Sequence, residues 1–170
     1  MVEVIAENRR ARFDYEVLEK FEAGIELLGF EVKSAKLGRM QIAGSYVVIR
    51  SPRRSPPPSP KSLRRPSGRS AGGDEAWLIN SQIPPYQPKN TPQDYDPGRT
   101  RRLLLRRDEI ARMAGLTKQK SVSLIPLRVY LKRGFVKIEV GAGRARKKAD
   151  KRELLKRRTA EREMRRASSL

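Results

Sequence analysis

Short strand-like runs closed off by Gly, Pro and Asn, only two segments of helical spacing, and no regular alternation of strand with helix predict a mainly β protein with flanking helices, arranged as a small antiparallel barrel. The charge distribution predicts where that barrel ends. Of the 39 Lys and Arg, twelve lie in residues 144–170 against four acids, and six lie in Pro52–Gly73 against none. The other 121 residues mix 21 bases with 15 acids, as an ordinary surface does. They predict one globular domain, residues 1–143, with two basic appendages: an insert at 52–73 and a tail at 144–170.

Each element has its own signal. From Phe13 to Leu28, Tyr15, Val17, Phe21, Ala23, Ile25 and Leu27 keep to odd positions, with Glu19 as the exception. That period predicts one long strand, bent or bulged at Gly24. GFEVKSAKLG, bounded by Gly29 and Gly38, predicts a short helix. SYVVIR (45–50) and EAWLINSQI (75–83) predict two strands that a tight turn would ordinarily join. Between them, SPRRSPPPSPKSLRRPSGRSAGG holds one large apolar residue, Leu63, and its prolines deny it both ladder and helix. A disordered excursion from a hairpin tip, dispensable to the domain, is expected there. PPYQPKNTPQDYDPG (84–98) reads as an irregular loop. In RTRRLLLRRDEIARMAG, residues Leu103, Leu104, Arg107, Ile110, Ala111 and Ala114 fall at helical spacing, which predicts a helix stopped by Gly115. SVSLIPLRVYLKR and FVKIEVG predict two final strands turning at Lys132-Arg133-Gly134.

With no Cys and no His, the chain lacks disulfides, thiolate nucleophiles, imidazole bases and the common zinc, copper and haem ligand sets. No apolar run approaches the roughly 20 residues of a membrane span. MVEVIAENRR has acids early and no apolar signal core, so a cytoplasmic protein is expected.

Four constellations bear on function. In Asp96-Pro97-Gly98-Arg99-Thr100-Arg101-Arg102 a turn precedes three guanidiniums at an expected helix start, where phosphates are bound bidentately. The same residues also read as a solvated helix start capped by Asp96. Asn8-Arg9-Arg10-Ala11-Arg12-Phe13-Asp14-Tyr15 runs cations into aromatics, a mixture suited to looped RNA, although Phe13 and Phe21 read more simply as packing. Asp14, Glu16, Glu19, Glu22, Glu26 and Glu31 fall in one region but alternate with Lys20 and Lys33 and show no ligand spacing, so they read as a salt-bridged face rather than a magnesium or acid–base site. The tail, from Arg144, Arg146 and Lys147 onward, has few apolar residues and is expected to be disordered alone. Asp150 with Glu153, and the pairs Glu153/Arg157 and Glu161/Arg165, encode a helix that a polyanion would stabilise.

The blocks FEAGIELLGFEVKSAKLG, SYV, EAWLIN, DPGRTRRLLL, IPLRVYLKRGFVKIEVG and DKRE, in this order and over nearly the whole chain outside Pro52–Gly73, resemble the SsrA-binding protein family, also called small protein B, the bacterial partner of transfer-messenger RNA. The resemblance implies an oligonucleotide-binding-like barrel and a binding protein without catalysis, cofactor or metal. It implies attachment to the tRNA-like domain of transfer-messenger RNA and delivery, with elongation factor Tu on the same RNA, to ribosomes stalled on messages without a stop codon. The tail would fold as a helix in the empty messenger channel, near the decoding region of the small subunit and its ribosomal RNA. A monomer is expected, with no membrane partner. By motif, Asn8, Arg9, Arg10, Glu22 and Leu104 match RNA-binding positions, and Lys147, Asp150, Lys151 and Arg152 match positions for accommodation on the ribosome. Arg12, Arg99, Arg101, Arg102, Arg144 and Arg146 are added as candidate RNA contacts from their own chemistry. Ala145 and Ala149 depart from the family pattern, which has Gly at the first and an aromatic or His at the second. Two other classes fit parts of the same sequence: a ribosomal or ribosome-assembly protein with the same barrel and tail, and a carboxylate-dependent nuclease.

Overall fold

The computed structural model describes residues 3–50, 73–119 and 121–147, together with Thr159, Ala160 and Met164. Seven strands and three helices follow in the order β1 (Glu3–Glu7), α1 (Arg9–Asp14), β2 (Tyr15–Ile25), α2 (Gly29–Lys36), β3 (Tyr46–Arg50), β4 (Glu75–Ile79), β5 (Arg101–Leu104), α3 (Arg107–Thr117), β6 (Val122–Lys132) and β7 (Phe135–Ala145). Every strand pairing is antiparallel, in the order β1-β6-β3-β4-β5-β2-β7, and β6 also pairs with β7. The sheet therefore closes into a ring, with β1 added along β6. Closure between β3 and β6 rests on one opposed pair, Val47 and Leu124.

Period-2 alternation fills the ring. On β7, Val136, Ile138, Val140 and Ala142 point inward to meet Phe21, Ala23, Leu78, Leu103 and Val129 in the main core. Ala35 of α2 and Met113 of α3 complete that core. On the outside of the same sheet, Ala11 of α1 packs with Ile125 and Leu127, joined by Tyr15 and Val17. Two glycines make room for this second cluster. A Cβ on Gly141 would lie 3.0 Å from Leu127 Cδ1, and one on Gly143 would lie 3.2 Å from Tyr15 Cβ.

Five expectations are corrected by this architecture. The bulge of β2 is not at Gly24, which pairs regularly, but between Val17 and Glu19, where Leu18 is the extra residue. That bulge reverses the faces, so the odd-numbered apolar residues belong to two different clusters: Tyr15 and Val17 outside, Phe21, Ala23 and Ile25 inside. Glu19, the apparent exception, sits at the reversal and pairs with Arg112 of α3 at 2.8 Å. Residues 101–104 form a strand rather than the start of a helix, because β5 fills the gap between β2 and β4, with Leu103 buried and Leu104 turned out. The helix begins at Arg107, where the Glu109 carboxylate accepts the Arg106 N–H at 2.8 Å, and it continues through Gly115 to Thr117. The segments 3–7 and 9–14, not expected as elements, are β1 and the single-turn helix α1.

One buried carboxylate joins the elements around β5. Glu31 of α2 is fully enclosed and accepts the Leu28 N–H at 2.8 Å, the Arg99 Nε–H at 2.9 Å and the Arg101 Nη2–H at 2.9 Å. Arg101, 0% exposed, also donates to the Ser81 carbonyl at 2.8 Å and the Pro97 carbonyl at 2.9 Å. The long loop from 81 to 100 is thereby tied to α2, and Tyr95 adds an edge-to-face contact with Phe30. Burial pushes the Glu31 carboxyl up, but hydrogen bonding by Arg99, the Arg101 charge and the Leu28 N–H more than offset it, leaving Glu31 below the usual carboxylate range.

Two stability outcomes follow from this geometry. Glu31→Ala leaves two guanidiniums buried without their carboxylate and is expected to cost about 3–5 kcal/mol in a urea titration. Because the folded-state pKa is depressed, the stabilisation from Glu31 is present above the unfolded carboxylate pKa and is lost as pH falls through the lower folded value. Acid titration of the wild type should therefore show a loss that Glu31→Gln lacks. The second outcome concerns the insert, whose residues 52–72 lie outside the described residues. Arg50 and Glu75 face each other directly, so Asn-Gly in place of residues 51–74 preserves the ladder. At about 0.6 kcal/mol per halving of loop length, the shortened chain should gain about 2 kcal/mol in the same titration. Destabilisation would mean that the excised residues pack on the domain.

Candidate nucleic-acid interface

The outward positions of β5, β2, β7 and β6 form one continuous face. Leu104 opposes Gly24, Gly24 opposes Lys137 and Lys137 opposes Tyr130, giving one row across four strands. The next row is Glu22, Glu139 and Arg128. Glu22 and Leu104, distant in sequence, thus come to neighbouring positions on one surface, where Leu104 is 53% exposed.

An acid at the centre of this face organises its cations. The Glu22 carboxylate accepts the Tyr130 hydroxyl at 2.6 Å and Lys132 Nζ at 2.8 and 3.0 Å, with Lys137 Nζ at 3.7 Å. Those hydrogen bonds, from Lys132 first and then Tyr130, hold the Glu22 carboxyl below its ordinary pKa. The Tyr130 phenol is pushed well up by burial and by the neighbouring Glu22. Glu139 does the same service for Arg128, 2.8 Å away, and for Lys20 at 3.6 Å. Arg128 also lies 5.4 Å from the centre of the Tyr130 ring. Arg102 extends the face beyond Leu104 and pairs with Glu75 at 3.2 Å. Each of these cations keeps donors beyond those used by its carboxylate, so the face presents positioned positive charge rather than a loose cloud.

A second basic surface lies at the other end of β2 and β7. The Arg9 and Arg10 side chains on α1 are 90% and 88% exposed, and Arg12 pairs with Glu7 at 2.9 Å. β7 runs to Ala145, past the expected domain edge at residue 143, and carries exposed Arg144 opposite Glu16. The Arg146 N–H donates to the Asp14 carbonyl at 2.9 Å, so Arg146 and exposed Lys147 leave the sheet beside the end of α1. A groove of about 840 Å³ opens there, lined by Arg10, Asp14, Tyr15, Tyr46 and Ser123 among others.

Three candidate RNA contacts are corrected. Asn8 is buried: its Oδ1 accepts the Ala11 N–H at 3.0 Å and its Nδ2 donates to the carbonyls of Pro126 at 3.1 Å and Ile42 at 3.3 Å. Its polar atoms are thus used within the protein, where they position α1. Arg101 is sealed within the protein and Arg99 is nearly so, both bound to Glu31, so neither presents a phosphate clamp. Arg102 alone of that trio points outward. The reason is the strand: alternation buries 101 and 103 where a helix start would have fanned all three guanidiniums into solvent. Tyr130, Lys132, Lys137 and Arg128 were missed, although the alternation of Arg128, Tyr130 and Lys132 in LRVYLK places them on one strand face. Asp150, Lys151 and Arg152, together with most of the tail, lie outside the described residues; Thr159, Ala160 and Met164 within it are helical. Among the described residues no group of three or more acids could hold a metal ion. Of the six acids clustered in sequence, Asp14 pairs with Arg10, Glu19 with Arg112, Glu22 with Lys132 and Glu31 with Arg99 and Arg101.

The sequence profile described as SmpB protein matches residues 5–54 and 69–169. The SsrA-binding protein of Synechococcus elongatus is 40% identical over 166 residues, covering 98% of this chain and 94% of that protein. That of Gloeothece citriformis is 43% identical over 164 residues, covering 96% and 92%. Among solved structures, a chain from the work described as "tmRNA-SmpB: a journey to the center of the bacterial ribosome" matches with a TM-score of 0.57 and 37% identity, covering 84% of this chain and 85% of that one. Ring topology, anchored outer face and matching sequence agree: the chain belongs to the SmpB protein family.

Proposed function

We propose that the protein is an RNA-binding adaptor of ribosome rescue, which binds transfer-messenger RNA and accompanies it to the stalled ribosome in trans-translation. The observation that carries this reading is the outer face on which Glu22 fixes Lys132, Lys137 and Tyr130 next to Leu104. A double-helical or tRNA-like fold presents phosphates at fixed spacing, and cations held by carboxylates meet such an array with less ordering cost than mobile ones. In our reading the tRNA-like domain lies on this face, and Arg9, Arg10, Arg12, Arg102 and Arg144 extend the contact. Lys147, Asp150, Lys151 and Arg152 serve accommodation in the small-subunit decoding region, and elongation factor Tu travels on the same RNA. The protein acts as a cytoplasmic monomer and works by binding alone. The pairing of its clustered acids with Arg and Lys supports this over the nuclease reading. No helix among the described residues is long and apolar enough to cross a membrane.

Net charge and anchoring give opposite expectations for Glu22. Removing an acid from a surface that binds a polyanion should tighten binding if charge alone matters. If Glu22 positions the cations, Glu22→Ala should instead weaken binding to the transcribed tRNA-like domain about tenfold, a loss of about 1.4 kcal/mol. Fluorescence anisotropy at fixed salt reads the sign directly.

The division of labour between ring and tail has its own test, and the backbone bond between Arg146 and Asp14 sets the cutting point. A chain ending at Lys147 is expected to bind transfer-messenger RNA with wild-type affinity while failing to support tagging of stalled products in a reconstituted translation system. Loss of both activities would refute the division. If RNA recovered with the full chain is ribosomal and lacks transfer-messenger RNA, the ribosomal-protein reading takes its place.

A further inference from the structure

The turn joining β6 to β7 has two unexpected features. Its central residues, Arg133 and Gly134, both adopt positive φ, at 51° and 81°. Such a two-residue turn favours Asn-Gly, and an Arg in the left-handed region is strained. The next residue, Phe135, is 70% exposed, more than any other large hydrophobic among the described residues. It contributes nothing to either apolar cluster, whereas its neighbour Val136 does. A strained Arg followed by a bare aromatic ring serves neither the turn nor the core.

Strand alternation places the ring. Phe135, Lys137 and Glu139 point to the same side of β7, the side occupied by Glu22. Phe135 lies directly opposite Lys132, whose ammonium is held by Glu22. The outer face therefore ends in an exposed aromatic ring flanked by Lys132 and Arg133.

We propose that Phe135 is a stacking platform for an unpaired base of the transfer-messenger RNA bound on the Glu22 face, with Arg133 and Lys132 holding the adjoining phosphates. The inference rests on the functional reading above and adds a contact beyond the Glu22 and Leu104 positions. An aromatic face accepts any base by stacking, and flanking cations supply the backbone contact. The platform is aimed outward by the tight turn and by Val136, which is locked into the core on the opposite face of the strand.

The test compares Phe135→Ala, Phe135→Leu and Phe135→Trp in binding to the transcribed tRNA-like domain of transfer-messenger RNA, with Glu22→Ala alongside. Loss of one base stack should weaken Phe135→Ala roughly tenfold. Phe135→Leu, apolar but without a π face, should lose as much, and Phe135→Trp should bind at least as well as the wild type. Melting temperatures should be unchanged in all three, since the ring packs on nothing. Phe135→Ala should leave the slope of log affinity against log salt unaltered, while Arg133→Ala should lower it by about one. If Phe135→Ala and Phe135→Leu bind as the wild type while Glu22→Ala binds weakly, the platform is refuted and the functional reading stands. If the wild type itself does not bind this RNA, both fall together.

Discussion

The fold around β5 depends on a carboxylate that has left water. Glu31, at the first turn of α2, exchanges hydration for hydrogen bonds from two guanidiniums and a backbone amide. Ion pairs of this kind gain little over apolar packing of equal volume, but they are unforgiving of the wrong partner. A guanidinium fork fits a carboxylate in few orientations, so the pair specifies geometry where apolar packing would tolerate several. Here the geometry matters because β5 has only four residues and the loop before it is long and rich in proline. Arg101, drawn in toward Ser81, Pro97 and Glu31, together with Leu103 buried in the core, fixes which face of β5 turns outward. Leu104 owes its position on the outer face to that choice.

Two glutamates with identical chemistry thus have opposite roles. Glu31 is fully enclosed and organises arginines for the interior, while Glu22, partly exposed, organises lysines for the exterior. Their surroundings decide. The first sits on a helix face turned to the ring, the second on the solvent side of a strand whose alternate residues fill the core. An acid within a basic surface is therefore no contradiction: it lowers local net charge slightly and fixes the directions in which its cations point.

Much of the fold was legible because β alternation and turn residues are local signals. The long strand 122–132, the first half of 135–145, the helix after Gly29 and the β3–β4 pair all follow from short windows of sequence. What escaped depended on distant partners. The run Arg101 to Leu105 carries helical spacing as well as alternation, and only the vacancy between β2 and β4 decides between them. The odd-position pattern of β2 looked like one face, yet the bulge at Leu18 divides it between two clusters, and bulges carry no composition signal of their own. Among the candidate residues, motif resemblance singled out Glu22 and Leu104, which share the outer face, but could not reveal that Asn8 works inward. A buried Asn capping a single-turn helix has the same sequence appearance as an exposed one.

The closed sheet has a consequence for a protein carrying +20 formal charge in crowded company. The ring pairs both edges of most strands, leaving among the described residues two rows of backbone groups without a full ladder: the seam where β3 meets β6 only at Val47 and Leu124, and the outer edge of β1. That edge is five residues long, broken by an irregularity between Val4 and Ala6, and framed by Glu3 and Glu7. Short length, a break in register and a charge at each end are devices by which natural sheets refuse further strands. On that outer edge, protection from edge-to-edge pairing rests on one short strand, where a hydrophobic substitution of Glu3 or Glu7 would favour self-association.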